Sequence, residues 1–414
     1  MSRKKENVRG LGSAIAAAAL LLIASTAMGD TFSLLGSFNG SNGATPYAGL
    51  TAVGSTLYGT TYYGGAYSQG TIFSEPVGGG APTLLGSFNG SNGSGPNGVL
   101  TVVGSTLYGT AGYGGASGDG TIFSEPLGGG DPTLLGSFNG SNGQTPFAGL
   151  TVAGSTLYGM TGSGGASGQG AIFSEPVGGG APTLLGSFNG SNGTFPYGGL
   201  TAVGSTLYGT TILGGAYGYG GGAHGYGTIF SEPVGGGAPT LLGSFNGSNG
   251  VNPDGGLTVV GSTLYGTAGY GGAYGDGTIF SEPVGGGDPT LLGSFNGSNG
   301  QNPFAGLTVV GSTLYGTTNA GGAYGDGTIF SEPLGGGAPT VLYSFTGNSD
   351  GANPEAVLIL SGSTLYGTAS SGGVNGDGTV FALQLTETPE PISMIFFGTG
   401  LVGVIGYVAR WRRR

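Results

Sequence analysis

The sequence predicts an all-β protein, a β-propeller with seven blades. Three observations support this prediction. A unit of 50 residues recurs seven times, each unit holds four short strand-like runs, and the run that the last unit lacks stands alone before the first. Four antiparallel strands in roughly 40 to 50 residues are typical of one propeller blade.

Two strings define the repeat. Ser-Phe-Asn-Gly-Ser-Asn-Gly begins at Ser37, Ser87, Ser137, Ser187, Ser244 and Ser294, with a degenerate copy at Ser344. Leu-Tyr-Gly recurs at Leu57, Leu107, Leu157, Leu207, Leu264, Leu314 and Leu365. The spacing is 50 residues, except that the fourth unit carries seven extra residues near 219–225 and the last carries one.

Each unit alternates strand-forming runs with turn formers. In the second unit the four runs are Val99 to Val103, Ser105 to Thr110, Thr121 to Glu125 and Thr133 to Phe138. They are rich in β-branched and aromatic residues, and Gly, Pro and Asn-Gly separate them. No run has a helical period, so no helix is expected in the repeat region.

The two ends of the repeat region complement each other. The seventh unit has only three runs, Val357 to Leu360, Ser363 to Thr368 and Thr379 to Leu383. The missing fourth run is Thr31 to Phe38, at the start of the region. Pairing of these two ends would close the ring and cover strand edges that otherwise promote aggregation.

The charges exclude several classes of function. All eight basic residues lie near the termini, and no Lys or Arg occurs between Asp30 and Pro391. An acidic surface without cations disfavours nucleic acid as a partner. The chain has no cysteine, which excludes thiol catalysis, and its one histidine, His224, stands in the insertion of the fourth unit. With so few catalytic groups, and with its glutamates at repeated positions, the protein is expected not to be an enzyme.

The N-terminus reads as a signal peptide, residues 1–29. A basic segment precedes an apolar run from Ala14 to Ala24, and small residues follow it. Cleavage after Ala27 or after Gly29 fits equally well, and the alternative is an uncleaved anchor helix.

The C-terminus has three elements in a fixed order. A linker, residues 386–391, contains Pro389, Glu390 and Pro391; an uncharged segment, 392–409, and a basic tail, 410–414, follow. Eighteen helical residues span about 27 Å, enough for the hydrocarbon core of a bilayer. The positive-inside rule places the arginines in the cytoplasm. A plain single-span anchor is the alternative interpretation.

This tail resembles the PEP-CTERM sorting signal of Gram-negative bacteria. The resemblance implies processing by a membrane exosortase and delivery to the cell-envelope surface or the extracellular matrix. Residues 30–385, with their Leu-Tyr-Gly-Thr and Gly-Thr-Ile-Phe strings, are similar to the GloVer tandem repeats of exported proteins with varied anchors. That resemblance implies a propeller-like module and no particular activity.

Two sets of loop residues are candidate sites. Four aspartates occupy one loop position between glycines, where a calcium ion or a purely structural turn would suit them: Asp119, Asp276, Asp326 and Asp377. The turn role is preferred, and no cofactor is expected. Tyrosines in the loop between the second and third strands are candidates for stacking on glycans, with packing over the blade ends as the alternative: Tyr62, Tyr63, Tyr113, Tyr270 and Tyr324. A second aromatic set follows the loop proline: Tyr47, Phe147, Tyr197 and Phe304.

The expected function is that of an exported, non-enzymatic surface or matrix repeat protein. The alternative is a multivalent carbohydrate-binding propeller that contacts cell-surface polysaccharide, because equivalent weak sites gain affinity together.

Overall fold

A computed structural model describes residues 29–217 and 225–386. Residues Asp30–Leu385 form one compact unit of 29 β-strands, and no helix occurs among the described residues. The prediction of an all-β propeller with seven blades is therefore confirmed. No membrane-spanning helix is found in that part of the chain. The predicted signal helix, the sorting motif Pro389-Glu390-Pro391 and the predicted membrane helix lie outside the described residues.

Seven sheets of four strands make the blades, and one blade carries an additional short strand. The first strand of the chain is β1 (Thr31–Ser37). Blade 1 consists of β2 (Thr51–Val53), β3 (Thr56–Thr61), β4 (Thr71–Pro76) and β5 (Thr83–Ser87). Blade 2 consists of β6 (Ser94–Pro96), β7 (Thr101–Val103), β8 (Thr106–Tyr113), β9 (Thr121–Pro126) and β10 (Thr133–Ser137). Blade 3 consists of β11 (Thr151–Ala153), β12 (Thr156–Thr161), β13 (Ala171–Pro176) and β14 (Thr183–Ser187).

The remaining blades follow the same order. Blade 4 consists of β15 (Thr201–Val203), β16 (Thr206–Thr211), β17 (Thr228–Pro233) and β18 (Thr240–Ser244). Blade 5 consists of β19 (Thr258–Val260), β20 (Thr263–Ala268), β21 (Thr278–Pro283) and β22 (Thr290–Ser294). Blade 6 consists of β23 (Thr308–Val310), β24 (Thr313–Thr318), β25 (Thr328–Pro333) and β26 (Thr340–Ser344). Blade 7 consists of β27 (Ile359–Ser361), β28 (Thr364–Ala369), β29 (Thr379–Gln384) and the N-terminal β1.

The ring closes through β1, as the sequence predicts. Strand β1 pairs antiparallel with β29, from Thr31 opposite Gln384 to Ser37 opposite Thr379. Phe32 of β1 stacks on Tyr343 of blade 6, with ring centroids 3.8 Å apart. The closing strand therefore fills a place in the core as well as covering the edge of β29.

The first strand of each blade is short and lines the central channel. Threonine hydroxyls link these strands around the axis, and Thr51 donates to the carbonyl of Leu100 in the next blade over 2.5 Å. The same bond recurs from Thr101, Thr151, Thr201, Thr258 and Thr308. Blade 7 has Ile359 at this position. Thr368 of β28 donates to the carbonyl of Ala48 in blade 1 over 3.0 Å, a second kind of link that also occurs from Thr110, Thr210, Thr267 and Thr317.

The hydrophobic core lies between neighbouring blades rather than inside one sheet. Phe38, which follows β1, meets Phe73 of blade 1 edge to face, with centroids 4.8 Å apart. Both side chains are fully buried, and an equivalent pair occurs at each of the other six blade contacts. Each blade buries apolar residues on both faces, so each relies on its two neighbours.

Glutamates that end the third strand are buried at six of these contacts. They are fully inaccessible to solvent, and neither carboxylate oxygen has a hydrogen-bond partner within the described chain: Glu75, Glu125, Glu175, Glu232, Glu282 and Glu332. Burial raises the pKa of Glu175 to about 8. The backbone amide of Gly180 lies near enough to lower this pKa slightly, but it does not meet the geometry of a hydrogen bond to the carboxylate. The four glutamates whose pKa burial raises to about 8 are therefore largely protonated in the folded protein at neutral pH, whereas Glu232 and Glu332, whose pKa is about 7, are protonated in part.

Each buried glutamate faces a glycine of the preceding blade. A Cβ added at Gly36 would lie 2.7 Å from Oε2 of Glu75, so no larger residue fits there. The contact between blades 6 and 7 differs at both positions, with Tyr343 in place of the glycine and Leu383 in place of the glutamate. The two residues change together because they share one space.

The residue before each loop proline has a left-handed backbone. The φ angles are +57° at Thr45, +55° at Thr145 and +55° at Phe195, although these residue types rarely adopt this region. Asn252, Asn302, Asn353 and Gly95 hold the same conformation at the other four positions. The conformation is thus imposed by the fold at all seven places, whichever residue occupies them.

The buried glutamates predict a pH-dependent stability. The pKa of Glu175 is about 8 in the folded protein, against 4.5 for a free glutamate. The folded state therefore holds protons that the unfolded state releases, so stability is greatest below about pH 4.5 and falls as the pH rises to about 8. We expect the urea midpoint to fall across this range. Over the same pH range the free energy of unfolding should decrease less in Glu175→Gln than in the unmodified protein, by about 1 kcal/mol or more. Asp326→Asn, in the loop before β25 and so at the far end of that strand from Glu332, serves as the control, and an identical pH profile in all three proteins would contradict the prediction.

The left-handed threonines predict a stabilising substitution. Thr45→Asn should raise the free energy of unfolding by about 1 kcal/mol, because asparagine tolerates this conformation at lower cost. The reverse change, Asn302→Thr, should lower it, and it also removes the hydrogen bond from Asn302 Nδ2 to the carbonyl of Gly269 (3.1 Å). Chemical denaturation of both variants checks the pair. Loss of stability in Thr45→Asn would argue against backbone strain at this site.

Candidate functional site

The loops that join one blade to the next bring one side chain from every blade to the mouth of the central channel. In each loop a buried proline follows the left-handed residue, and the residue after that proline lines the mouth. Proline fixes its own φ, so the left-handed residue and the proline together fix where the next side chain emerges. In blade order the seven residues are Tyr47, Asn97, Phe147, Tyr197, Asp254, Phe304 and Glu355.

These seven residues, the mouth residues, enclose a cavity of about 380 Å³. They also border a second cavity, of about 310 Å³, whose wall includes the first strands and the backbone before them. All seven side chains are half-buried. A concave site lined by aromatic rings with a few polar groups is the common form of a small-ligand site.

The mouth breaks the symmetry of the repeats. Each mouth residue stands between a proline and a glycine or an alanine, whereas the two positions before the proline also vary, as in Ala44-Thr45 and Thr194-Phe195. At the mouth itself the chain carries four aromatic rings, one amide and two carboxylates. The backbone at these positions is equivalent, so the fold does not require this variety.

The aromatic mouth residues are supported by rings from the adjacent loops. Phe147 stacks on Tyr197 with centroids 5.3 Å apart. Tyr62 packs edge to face on Tyr47 at 5.6 Å, and Tyr113 packs on Phe147 at 5.7 Å. Aromatic pairs in this geometry hold each other in place. Neighbouring rings therefore hold the side chains of Tyr47, Phe147 and Tyr197 in place before any ligand binds.

The two carboxylates sit on either side of Phe304. Burial raises the pKa of Asp254 to about 7, and the charge of Glu355 adds to the effect. Burial raises the pKa of Glu355 to about 7 as well, although Asn319 donates a hydrogen bond to it. Asp254 accepts no hydrogen bond from any described residue. Two nearby acids in a poorly solvated cavity repel each other when both are ionised.

The tyrosines predicted to stack on glycans fall into two groups. Tyr62, Tyr113 and Tyr270 contact mouth residues, and Tyr63 packs on Tyr62. The outer loop residue Tyr324 is 65% exposed and makes none of the ring contacts found in the described chain. Four of the five tyrosines thus belong to the surroundings of the mouth.

The aspartates predicted as calcium ligands lie one to a blade in blades 2, 5, 6 and 7. Asp119 accepts a hydrogen bond from Gln144 (2.7 Å) and Asp276 accepts one from Gln301 (2.8 Å), in both cases from the following loop. All four backbone carbonyls accept the amide of a left-handed residue: Thr145, Asn302, Asn353 and Thr45. No group of three or more His, Cys, Asp or Glu side chains occurs within residues 29–217 and 225–386. Calcium at these positions stays a prediction.

The sequence pattern identifies the aromatic residues of the mouth but not its polar residues. Tyr47, Phe147, Tyr197 and Phe304 share both the position after the loop proline and an aromatic side chain. Asn97, Asp254 and Glu355 occupy the same position but share no chemistry with the rings, so the pattern does not group them. Comparison of all seven residues that follow the loop proline would have identified the complete set. His224 lies outside the described residues.

Solved structures resemble the fold at low sequence identity. A europium-containing methanol dehydrogenase is 11% identical, with a TM-score of 0.50, and the match covers 86% of this chain and 93% of that one. A Bacteroides uniformis protein assigned as a 6-phosphogluconolactonase is 15% identical, with a TM-score of 0.49, covering 80% and 95%. A gluconolactonase of Xanthomonas campestris is 15% identical, with a TM-score of 0.44, covering 69% and 85%. At 11% identity the likeness to the methanol dehydrogenase shows a similar fold alone.

The sequence comparisons point to the repeat itself. No curated protein is significantly similar to the chain. The family model of the Gloeobacter/Verrucomicrobia repeat matches residues 22–221 and 218–381, which together make up most of the sequence. The chain therefore belongs to the Gloeobacter/Verrucomicrobia repeat family.

Proposed function

We propose that this chain is an exported, non-enzymatic surface protein whose propeller binds carbohydrate at the channel mouth. One observation carries the binding part. Seven structurally equivalent positions in near-identical repeats hold Tyr, Asn, Phe, Tyr, Asp, Phe and Glu. The left-handed position before the proline also varies in residue type, but only the seven mouth residues together enclose one cavity. A single composite site for an asymmetric ligand accounts for the variety.

Carbohydrate suits the chemistry of this mouth. The faces of aromatic rings pack well against the apolar C–H faces of sugars, and Tyr47, Phe147, Tyr197 and Phe304 line the cavity. Carboxylates accept hydrogen bonds from hydroxyl groups, and an amide both donates and accepts. Asp254, Glu355 and Asn97 supply these groups. A cavity of about 380 Å³ has room for one or two sugar residues.

Export to the cell surface is supported by the two ends of the chain. A basic segment and an apolar run precede the propeller, and Pro389-Glu390-Pro391, an apolar segment and arginines follow it. Removal of both ends would leave a propeller without lysine or arginine, which is acidic and soluble. The resemblance to the PEP-CTERM signal supports an exosortase as the processing partner and a Gram-negative envelope as the location.

The absence of catalysis is part of the proposal. The propeller has no lysine, arginine or cysteine to activate a nucleophile or stabilise an oxyanion. Its two symmetry-breaking acids, Asp254 and Glu355, are the groups that a hydrolase would have to use. Release of shorter sugars during a binding experiment, lost in Asp254→Asn, would replace this proposal with a hydrolase.

The export proposal predicts defined ends for the mature protein. Mass spectrometry of the protein recovered from the cell surface should find an N-terminus after Ala27 or Gly29. It should also find the arginine tail removed. Change of Pro389-Glu390-Pro391 to three alanines should retain the tail while leaving signal-peptide cleavage intact. An intact Met1 and an intact Arg414 on surface protein would contradict the proposal.

The binding proposal predicts that loss of mouth aromatics abolishes retention on polysaccharide. The mature protein should be retained on the exopolysaccharide of its own cells. The double variant Phe147→Ala, Tyr197→Ala should bind at least about tenfold more weakly, because two stacking surfaces are removed. The control is Tyr274→Ala, which removes a ring that is 67% exposed on an outer loop. Equal loss in the control would instead favour several equivalent sites on the loop tyrosines.

A further inference from the structure

We infer that the channel mouth binds an organic ammonium group, as carried by an amino sugar whose nitrogen is not acetylated. This inference rests on the proposed carbohydrate site and names the chemical class of its ligand. Three features of the mouth lead to it: the sign of its charge, the aromatic rings that surround the cavity, and the placement of its two acids.

The mouth can attract only neutral or positively charged groups. Residues 29–217 and 225–386 contain no lysine, arginine or histidine, so nothing in this part of the chain neutralises Asp254 or Glu355. The whole sequence between Asp30 and Pro391 adds only His224 to this inventory. Uronic acids, sulfated sugars and phosphorylated ligands would meet repulsion from every charged group of the propeller.

The rings of the mouth suit a cation. Tyr47, Phe147, Tyr197 and Phe304 occupy four of the seven positions around one cavity. A cation held within about 6 Å of an aromatic face gains interaction energy, and a cage of several rings is the usual site for alkylated ammonium groups. The rings are held in place by their neighbours, as in the stacked pair Phe147 and Tyr197. They therefore need little reordering when a ligand enters.

The acids lie where a cation would relieve their repulsion. Burial raises the pKa of both Asp254 and Glu355 to about 7, and the charge of Glu355 adds to the shift at Asp254. The other titratable groups that face them are Tyr47 and Tyr197, whose pKa values burial and these carboxylates raise further. An ammonium group among the acids would favour their ionised form and gain charge-assisted hydrogen bonds. Binding is thus coupled to proton release from the mouth.

A metal ion fits the same groups less well. Calcium takes six to eight oxygen ligands at about 2.3–2.6 Å. The mouth offers two carboxylates and one amide, and three or more acidic or imidazole side chains do not come together anywhere in the described chain. The four aromatic rings supply no ligand to a hard cation but do interact with an organic one.

The inference is tested by calorimetry on the mature protein with matched probes. The first pair is a glucosamine oligomer and its fully N-acetylated counterpart. We expect the glucosamine oligomer to bind at least about tenfold more tightly. Stronger or equal binding of the acetylated oligomer would overturn the inference and leave the carbohydrate site standing. If neither oligomer nor the native polysaccharide binds, both the inference and the proposed function fail.

Isosteric variants separate charge from shape. Asp254→Asn with Glu355→Gln should abolish the preference for the glucosamine oligomer, because that oligomer loses much more affinity than its acetylated counterpart when the charges are removed. Asp288→Asn, an exposed acid outside the mouth, should change neither. Thermal melts confirm that each variant folds. If the double variant is unstable, Phe304→Leu tests the same site, because loss of one ring should weaken the ammonium ligand more than the acetylated one, which has no cation to interact with the ring. A preserved preference in both variants would overturn the inference.

The pH dependence and two small cations complete the test. An oligomer with a trimethylated nitrogen keeps its charge at every pH, so its affinity should rise as the pH increases through about 7 and the mouth acids ionise. A flat profile would contradict the role of the acids.

Binding of tetramethylammonium alone, as tight as that of the oligomer, would support the ammonium site and show that the sugar adds nothing to the affinity. Tight binding of calcium chloride that blocks the oligomer would overturn the inference in favour of a metal site.

Discussion

The pairing of β1 with β29 is the contact on which the rest of the structure depends. Without it, blade 7 would have three strands, and the chain would be an open stack with an unpaired edge at each end. The pairing brings residues more than 340 positions apart into register. It costs the entropy of closing that long loop once, and it then holds all seven loops around one axis. The mouth exists only as a property of the closed ring.

Closure also explains how a repetitive chain can carry a specific site. The strands must stay nearly the same, because each blade packs both faces against its neighbours. A side chain in place of the glycine opposite each buried glutamate would clash with the carboxylate. The residue after the loop proline lies outside the buried core, where it lines the cavity and contacts side chains of adjacent loops, as Phe147 contacts Tyr113. Variation at these seven positions therefore alters the ligand surface and leaves the buried contacts between blades intact. Asp254 and Glu355 are the clearest products of this freedom.

The sequence predicts the architecture well because the architecture is local and repeated. Four runs to a unit give four strands to a blade, and the unpaired run Thr31 to Phe38 identifies the closing strand. The Asn-Gly pairs form turns in which Asn39 accepts hydrogen bonds from Ser41 and Asn42.

The burial of the glutamates and the polar half of the mouth could not be predicted in the same way. A glutamate at the end of a strand, such as Glu75, is ordinarily exposed. Its burial follows from a glycine in another blade, which no local pattern reveals. Asp254 and Glu355 come together only around the axis.

One contact between blades bears on how such a chain changes in length. Six contacts join a glycine to a glutamate and are interchangeable, whereas the contact between blades 6 and 7 joins Tyr343 to Leu383. A glutamate opposite Tyr343, or a glycine opposite Leu383, would leave a clash or a void. Recombination between the near-identical repeats upstream of this contact can add or delete a whole blade and still match every partner. The contact between blades 6 and 7 therefore stays constant, and the number of blades before it can change. The two ends of the ring keep their own distinct residues.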